Sequence, residues 1–218
     1  MNVTKLKASG IFFDLDGTLV DSREAYCEAA RTAFQAMGQG PPETKVALEI
    51  PRMLERKQPV NDIIKGDIHK FLQVYLRKYY SITMEKTRLL PNVSTSLETL
   101  YMKAKLALVT MRALPKESIM KELERFGIAK YFTYVVTALD THKPKPSPEA
   151  LIESIKALDV KLCDCIIVGD SIADIRAGKA AGSKTVAVLS GLFSRQELAE
   201  ENPDLIIENV AVLPNFIE

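Results

Sequence analysis

From residue 91 onward, short apolar segments alternate with amphipathic helical segments, and this alternation restricts the fold more than any other feature of the sequence. The apolar segments are residues 105–110, 131–137, 165–168 and 184–189. Short buried strands that are joined by helices form parallel βαβ units, with helices on both faces of the sheet. We therefore predict an α/β fold with a doubly wound, Rossmann-like parallel sheet.

An earlier strand, residues 9–15, is separated from this alternation by a block without a convincing strand. Apolar residues recur there at helical spacing in three stretches, residues 22–37, 46–54 and 63–80. We predict an α/β core domain of residues 1–20 and 88–218, with residues 205–207 as its edge strand, and an inserted helical domain of residues 21–87.

The composition narrows the class of protein. With 47% hydrophobic and 26% charged residues, the 218-residue chain is typical of globular proteins rather than disordered chains or rods. The formal net charge of +1 gives no basic field that would attract nucleic acid. No apolar run reaches the roughly 18 residues that span a bilayer. We expect a cytoplasmic monomer or homodimer that binds neither nucleic acid nor membrane.

Two pairs of carboxylates stand where predicted strands end. Asp14 and Asp16 follow the first strand, and Asp170 and Asp174 follow residues 165–168. The carboxyl ends of parallel strands build the site in such sheets, so the four groups should converge. Converging carboxylates repel one another unless a cation lies among them. Oxygen ligands without histidine or thiolate favour magnesium over zinc.

Two further residues would complete a site for phosphate. Thr110 ends the strand of residues 105–110 and offers a hydroxyl group. Lys145, in a loop that its prolines stiffen, offers an ammonium group, and Lys143 fits the same Lys-Pro-x-Pro pattern.

In these positions the sequence resembles the haloacid dehalogenase-like hydrolases, specifically the phosphoglycolate phosphatase-like branch with a helical cap after the first strand. The resemblance runs through FFDLDGTLVDS at residues 12–22, Thr110, KPSPEAL at 145–151 and GDSIAD at 169–174. It covers nearly the whole chain. The resemblance favours Lys145 over Lys143 as the functional lysine, because only Lys145 places Leu151 at the family's apolar helix position, and that helix sets the register of the loop. The first and last motifs are specific together, and the two between them are weak alone.

The resemblance implies a two-step phosphoryl transfer. Asp14 would attack phosphorus and form an aspartyl-phosphate. Asp16 would protonate the leaving oxygen and then activate water. The resemblance further implies that Mg²⁺ is held by the Asp14 carboxylate, the main-chain carbonyl of Asp16, Asp170 and Asp174. An aspartate at position 16 favours phosphate ester hydrolysis, because relatives that release halide lack it.

The same resemblance assigns the phosphoryl group to Thr110, the Met111 amide and Lys145. Relatives commonly carry asparagine after the motif threonine, where this chain has Met111 and Arg112, so we take Arg112 as a further candidate for substrate binding. A closing cap, with hinges near residues 18–21 and 81–90, would restrict the substrate to a small phosphorylated metabolite. Several cap residues are weaker candidates for contact with a second anionic group, namely Arg23, Lys45, Arg52, Arg56 and Lys57.

Other functions share some of these features. A phosphomutase of the same family would keep every motif, and a phosphate-binding or regulatory protein would bind without turnover. A receiver-type signalling domain also uses clustered aspartates, threonine and lysine, but the helical insertion and the chain order argue against it. A nucleotide-binding module would need a glycine-rich loop after the first strand, where Asp16-Gly17-Thr18 supplies one glycine.

Overall fold

The computed structural model describes residues 5–218, and these form eight strands and eight α-helices. In chain order the strands are β1 (Gly10–Phe13), β2 (Val20–Asp21), β3 (Arg88–Leu89), β4 (Lys105–Val109), β5 (Phe132–Val136), β6 (Cys165–Gly169), β7 (Lys184–Val188) and β8 (Leu205–Ile207). Six of them form one sheet in the order β5-β4-β1-β6-β7-β8, and every adjacent pair is parallel. The predicted parallel α/β sheet is confirmed, with residues 205–207 at its edge.

In chain order the helices are α1 (Arg23–Ala36), α2 (Thr44–Glu55), α3 (Ile68–Lys86), α4 (Val93–Tyr101), α5 (Lys116–Arg125), α6 (Glu149–Leu158), α7 (Ile172–Ala181) and α8 (Arg195–Glu200). The periodicity predicted that the third helix begins at residue 63, five residues too early. Ile63 and Ile64 instead donate backbone hydrogen bonds to the Val60 carbonyl in a turn, and Ile64 is buried there. Asp67 caps α3 by accepting a hydrogen bond from the Lys70 amide.

Strand β1 lies at the centre of the sheet and is buried along its whole length. Its side chains alternate between two apolar clusters, as the period of a strand requires. Ile11 and Phe13 join the cluster that contains the buried faces of α4 and α5. Phe12 joins the cluster on the other face, with buried residues of α6 and α7. The sheet is therefore covered by helices on both faces.

The chain divides into two compact units. One contains the described residues up to Val20 together with Leu89–Glu218, and the other contains Asp21–Arg88. The second unit holds α1, α2 and α3 around its own apolar core, in which the rings of Phe34 and Phe71 meet edge to face at 5.2 Å. The chain passes between the units at β2 and β3, which pair with each other. The cap role of the helical unit stays a prediction.

Among the described residues, no helix combines the length and the apolar character that a bilayer crossing requires.

Candidate active site

The predicted site residues lie at the carboxyl edge of the main sheet. Asp14 follows β1, Thr110 follows β4 and Asp170 follows β6. Since β1 lies between β4 and β6, these three positions are neighbours. Lys145 belongs to the long connection between β5 and α6.

Three of the four predicted carboxylates meet. One carboxylate oxygen from each of Asp14, Asp170 and Asp174 lies within 4.8 Å of the other two, and all three residues are buried. We call them the acidic triad. Asp16 is not a member, because both of its carboxylate oxygens face the Arg112 guanidinium instead. The structure therefore separates the paired aspartates of residues 14–16 into two environments.

Lys145 joins the acidic triad, whereas Lys143 is exposed. The Lys145 ammonium donates to Asp14 Oδ1 and Asp174 Oδ1, each at 2.6 Å, and to the Val109 carbonyl at 2.9 Å. Burial disfavours the ammonium, but the two carboxylates outweigh this effect and raise the pKa of Lys145 above its usual value. Lys145 is therefore a permanent cation at neutral pH.

The charge of the acidic triad is only partly compensated. The pKa of Asp14 is raised from 3.8 to about 7, because burial and the charges of Asp174 and Asp16 together outweigh the opposing effect of Lys145. When all groups are ionised, three carboxylates and one ammonium leave two negative charges. That balance and the all-oxygen donor set fit a hard divalent cation.

The first turn of α7 positions Asp174. Ser171 is the N-cap of this helix, and the two residues form a capping box. The Ser171 hydroxyl donates to Asp174 Oδ2 at 2.7 Å, and the Asp174 amide donates back to the Ser171 hydroxyl at 3.3 Å. The sequence analysis did not predict this role for Ser171, although the spacing S-x-x-D is typical of a capping box.

Asp170 lies in a cradle of small residues. Thr18 donates to Asp170 Oδ1 at 2.9 Å. A Cβ added at Gly17, whose φ is +78°, would stand 2.4 Å from Asp170 Oδ2, and one at Gly191 would stand 1.7 Å from the same atom. Only glycine fits at either position. The sequence analysis did not identify Gly191, which follows β7, because an isolated glycine in a loop gives no signal of its own.

Arg112 is tied to two carboxylates. Its Nε and Nη2 donate to the two oxygens of Asp16 at 2.8 and 2.6 Å, and its Nη1 donates to Glu122 Oε2 at 2.5 Å. The Arg112 amide also donates to the buried Thr110 hydroxyl at 3.2 Å. Met111, between them, is partly buried. Glu122, on α5, has no motif around it, and sequence reasoning missed it.

Comparison with known proteins identifies the family. A model described as haloacid dehalogenase-like hydrolase matches residues 11–188, the span from β1 to β7. The chain belongs to the haloacid dehalogenase-like hydrolase family. The membership inferred from the motifs is confirmed, and so is the prediction of an enzyme.

Relatives within the haloacid dehalogenase-like hydrolases match most of the chain. A phosphoglycolate phosphatase of Escherichia coli (strain K12) is 30% identical over 226 residues, covering 92% of this chain and 89% of that protein. A Clostridium perfringens protein with the provisional name of a pyrophosphatase is 29% identical over 216 residues, covering 95% and 96%. These names fit the predicted phosphoglycolate phosphatase-like branch.

The fold is also found among solved structures of the family. A haloacid dehalogenase-like hydrolase from Streptococcus pneumoniae has a TM-score of 0.79 with this chain at 22% identity, covering 93% of this chain and 95% of that one. At this identity the likeness concerns the fold alone, and it confirms the α/β core.

Proposed function

We propose that this hydrolase is a magnesium-dependent phosphatase that acts on a small phosphomonoester through an aspartyl-phosphate on Asp14. The observation that carries the proposal is the buried contact of Asp14 with Lys145 beside Asp170 and Asp174. This arrangement supplies an oxygen nucleophile, a fixed cation for a phosphoryl oxygen and a donor set for a divalent ion. The E. coli relative is named a phosphoglycolate phosphatase, which makes phosphoglycolate the first candidate substrate, with a sugar phosphate as the second.

Mg²⁺ would be held by Asp14, Asp170, the main-chain carbonyl of Asp16 and, directly or through water, Asp174. When bound, the ion offsets the charge of the acidic triad and of the incoming phosphate. The site suits Mg²⁺ in charge and in ligand type. When ionised, the acidic triad and Lys145 together carry two uncompensated negative charges, and every donor is a hard oxygen.

In the first step an Asp14 oxygen attacks phosphorus, and the bond between phosphorus and the ester oxygen breaks as the new bond forms. Asp16 donates a proton to the departing oxygen, which leaves as an alcohol. Lys145, Thr110 and the Met111 amide bind phosphoryl oxygens, so that fixed donors meet the charge that spreads over them.

In the second step Asp16, now ionised, takes a proton from water. That water attacks phosphorus, the bond to Asp14 breaks, and inorganic phosphate leaves with Asp14 restored. The relatives described above carry the names of hydrolases, which favours water over a sugar as the acceptor and so favours a phosphatase over a phosphomutase.

The test is phosphate release from a panel of phosphoglycolate, sugar phosphates and pyrophosphate, with Mg²⁺ and with EDTA. Wild type is compared with Asp14→Asn and Asp16→Asn. We expect release that requires Mg²⁺ and is abolished by Asp14→Asn. A folded wild type that binds Mg²⁺ and releases no phosphate from any ester would overturn the proposal, and turnover that appears only with a bisphosphate primer would point to the mutase.

A further inference from the structure

Beside the acidic triad, the α/β unit contains a second, separate group of ionised side chains. Arg112 lies between Asp16 and Glu122, with three short hydrogen bonds to their carboxylates. Arg112 is 2% exposed and Glu122 is 1% exposed. Ionised groups are rarely buried to this degree unless they pair, and a pair at this depth is costly to build. Because the buried pair of Arg112 and Glu122 lies next to Asp16, we expect this pair to have a role in the reaction.

We propose that Arg112, anchored by Glu122, is a positioning residue that fixes the orientation of the Asp16 carboxylate for proton transfer. The inference rests on the proposed function, in which Asp16 exchanges a proton with the leaving group and with water. Arg112 acts through Asp16, which differs from the substrate-binding role that the sequence suggested for it.

The geometry of the pair supports this role. Nε and Nη2 of Arg112 each reach a different oxygen of Asp16, so the planar guanidinium fixes the plane of the carboxylate. A single donor would leave that plane free to rotate. The two contacts therefore hold the Asp16 carboxylate in one orientation relative to Arg112.

Arg112 is itself held from three directions. Glu122 accepts from its Nη1 at 2.5 Å, and Glu122 belongs to α5, whose Ile119 and Leu123 are fully buried in the apolar core. The Arg112 amide donates to Thr110, and its carbonyl accepts from the Ala138 amide at 3.1 Å. The guanidinium therefore has a rigid support, which a positioning residue requires.

The leaving-group dependence of kcat/KM tests the proposal. Protonation of the leaving oxygen matters for alkyl phosphates and hardly matters for 2,4-dinitrophenyl phosphate, whose phenolate leaves unprotonated. General acid catalysis contributes about 100-fold or more, so we expect Arg112→Gln to lower kcat/KM for an alkyl phosphate by about 100-fold. The loss for the dinitrophenyl ester should stay within about threefold. Arg112→Lys, which lacks the two-pronged contact, should rescue only part of the loss.

Two further variants separate positioning from damage to the fold. Arg112→Gln leaves Glu122 buried without its cation, so the double variant Arg112→Gln/Glu122→Gln removes that imbalance and should show the same selective loss. Glu122→Gln alone should show a smaller selective loss. Matched controls are Arg125→Gln and Glu124→Gln, which change exposed residues on the same helix and should leave both substrates unaffected.

Asp16→Asn separates failure of this inference from failure of the proposed function. If Asp16→Asn affects both esters equally, the acid role of Asp16 is wrong, and the inference fails with it. If Asp16→Asn is selective for the alkyl ester while the double variant is not, Arg112 does not position Asp16 and only the inference is overturned. Equal losses for both esters in Arg112→Gln and in the double variant would also contradict it.

Discussion

At the scale of single residues, the site depends on Lys145 to balance the charge of the buried acidic triad. Its ammonium is shared by Asp14 and Asp174, and these two carboxylates raise the pKa of Lys145 against the effect of its burial. All three N–H groups of Lys145 are engaged, so a phosphoryl oxygen would replace one of these acceptors while the ammonium stays in place. In the proposed mechanism the same residue therefore stabilises the site and binds the anionic substrate.

Lys145→Met should lower kcat by at least about 100-fold, the loss typical when one fixed donor to a developing charge is removed. Lys143→Met is the matched control, because Lys143 stands two residues away in the same motif and is exposed. It should change kcat by less than about twofold. Steady-state kinetics on the best ester measure both, and equal losses in the two variants would contradict the assignment of Lys145.

Asp14 makes the stability of the metal-free protein depend on pH. The pKa of Asp14 is about 3.8 in the unfolded chain and about 7 in the folded protein. Between these two pH values, the folded protein keeps a proton that the unfolded chain has lost. The contribution of protonated Asp14 to the free energy of unfolding is fully present below pH 3.8 and is lost as the pH rises through about 7.

We expect the stability of wild type relative to Asp14→Asn to fall by on the order of 2 kcal/mol between pH 5 and pH 8 in EDTA. Mg²⁺ at pH 8 should stabilise wild type and not the variant, because ion binding favours the ionised carboxylate. Denaturant unfolding at the two pH values measures the difference. Parallel pH dependence of the two proteins would show that Asp14 does not carry the shift.

At the scale of elements, the start of α7 both caps the helix and places one carboxylate of the acidic triad. Ser171 and Asp174 form its capping box, and Asp174 also belongs to the acidic triad. Helix α8 begins with a similar capping box of Ser194 and Glu197, neither of which is in the acidic triad. The two helices therefore offer a matched comparison of a cap with and without a functional carboxylate.

Ser171→Ala and Ser194→Ala should each lower the free energy of unfolding by about 1 kcal/mol, the usual cost of a lost N-cap. Only Ser171→Ala should also weaken Mg²⁺ binding, by about 10-fold, because it releases the Asp174 carboxylate from a fixed orientation. Denaturant melts and calorimetric titration with Mg²⁺ measure the two effects. Equal Mg²⁺ affinities in the two variants would show that the cap does not position the ligand.

At the scale of the whole molecule, the sheet and its carboxyl edge could be predicted because their signals are local. Strands β4, β6 and β7 each contain a short apolar run between helical segments, and paired aspartates follow β1. The rule that parallel strands present their carboxyl ends on one side then brings Asp14, Thr110 and Asp170 together without coordinates. The predicted start of α3 was wrong, because apolar residues in the preceding turn have the same spacing as those of a helix.

The contacts of Asp16 with Arg112 and of Asp170 with Gly191 could not be predicted, because they join residues that are distant in the chain. Asp16 and Arg112 are 96 positions apart, and only the tertiary structure shows that they pair and that Asp16 is not a member of the acidic triad. Gly191 is needed because it lies against Asp170, not because of any turn that its own sequence encodes. A single sequence gives residue types and local period, but not which distant side chains pair.

The proposed mechanism requires a covalent phosphoryl intermediate on Asp14, so the decisive experiment is to trap that intermediate. Asp16→Asn would be mixed with Mg²⁺ and 2,4-dinitrophenyl phosphate, quenched in acid and digested for mass spectrometry. Since this substrate needs no acid and the variant lacks the base for the second step, we predict that the peptide containing Asp14 gains the mass of one phosphoryl group. Phosphate release at the wild-type rate without that adduct, or an adduct on another residue, would contradict the account.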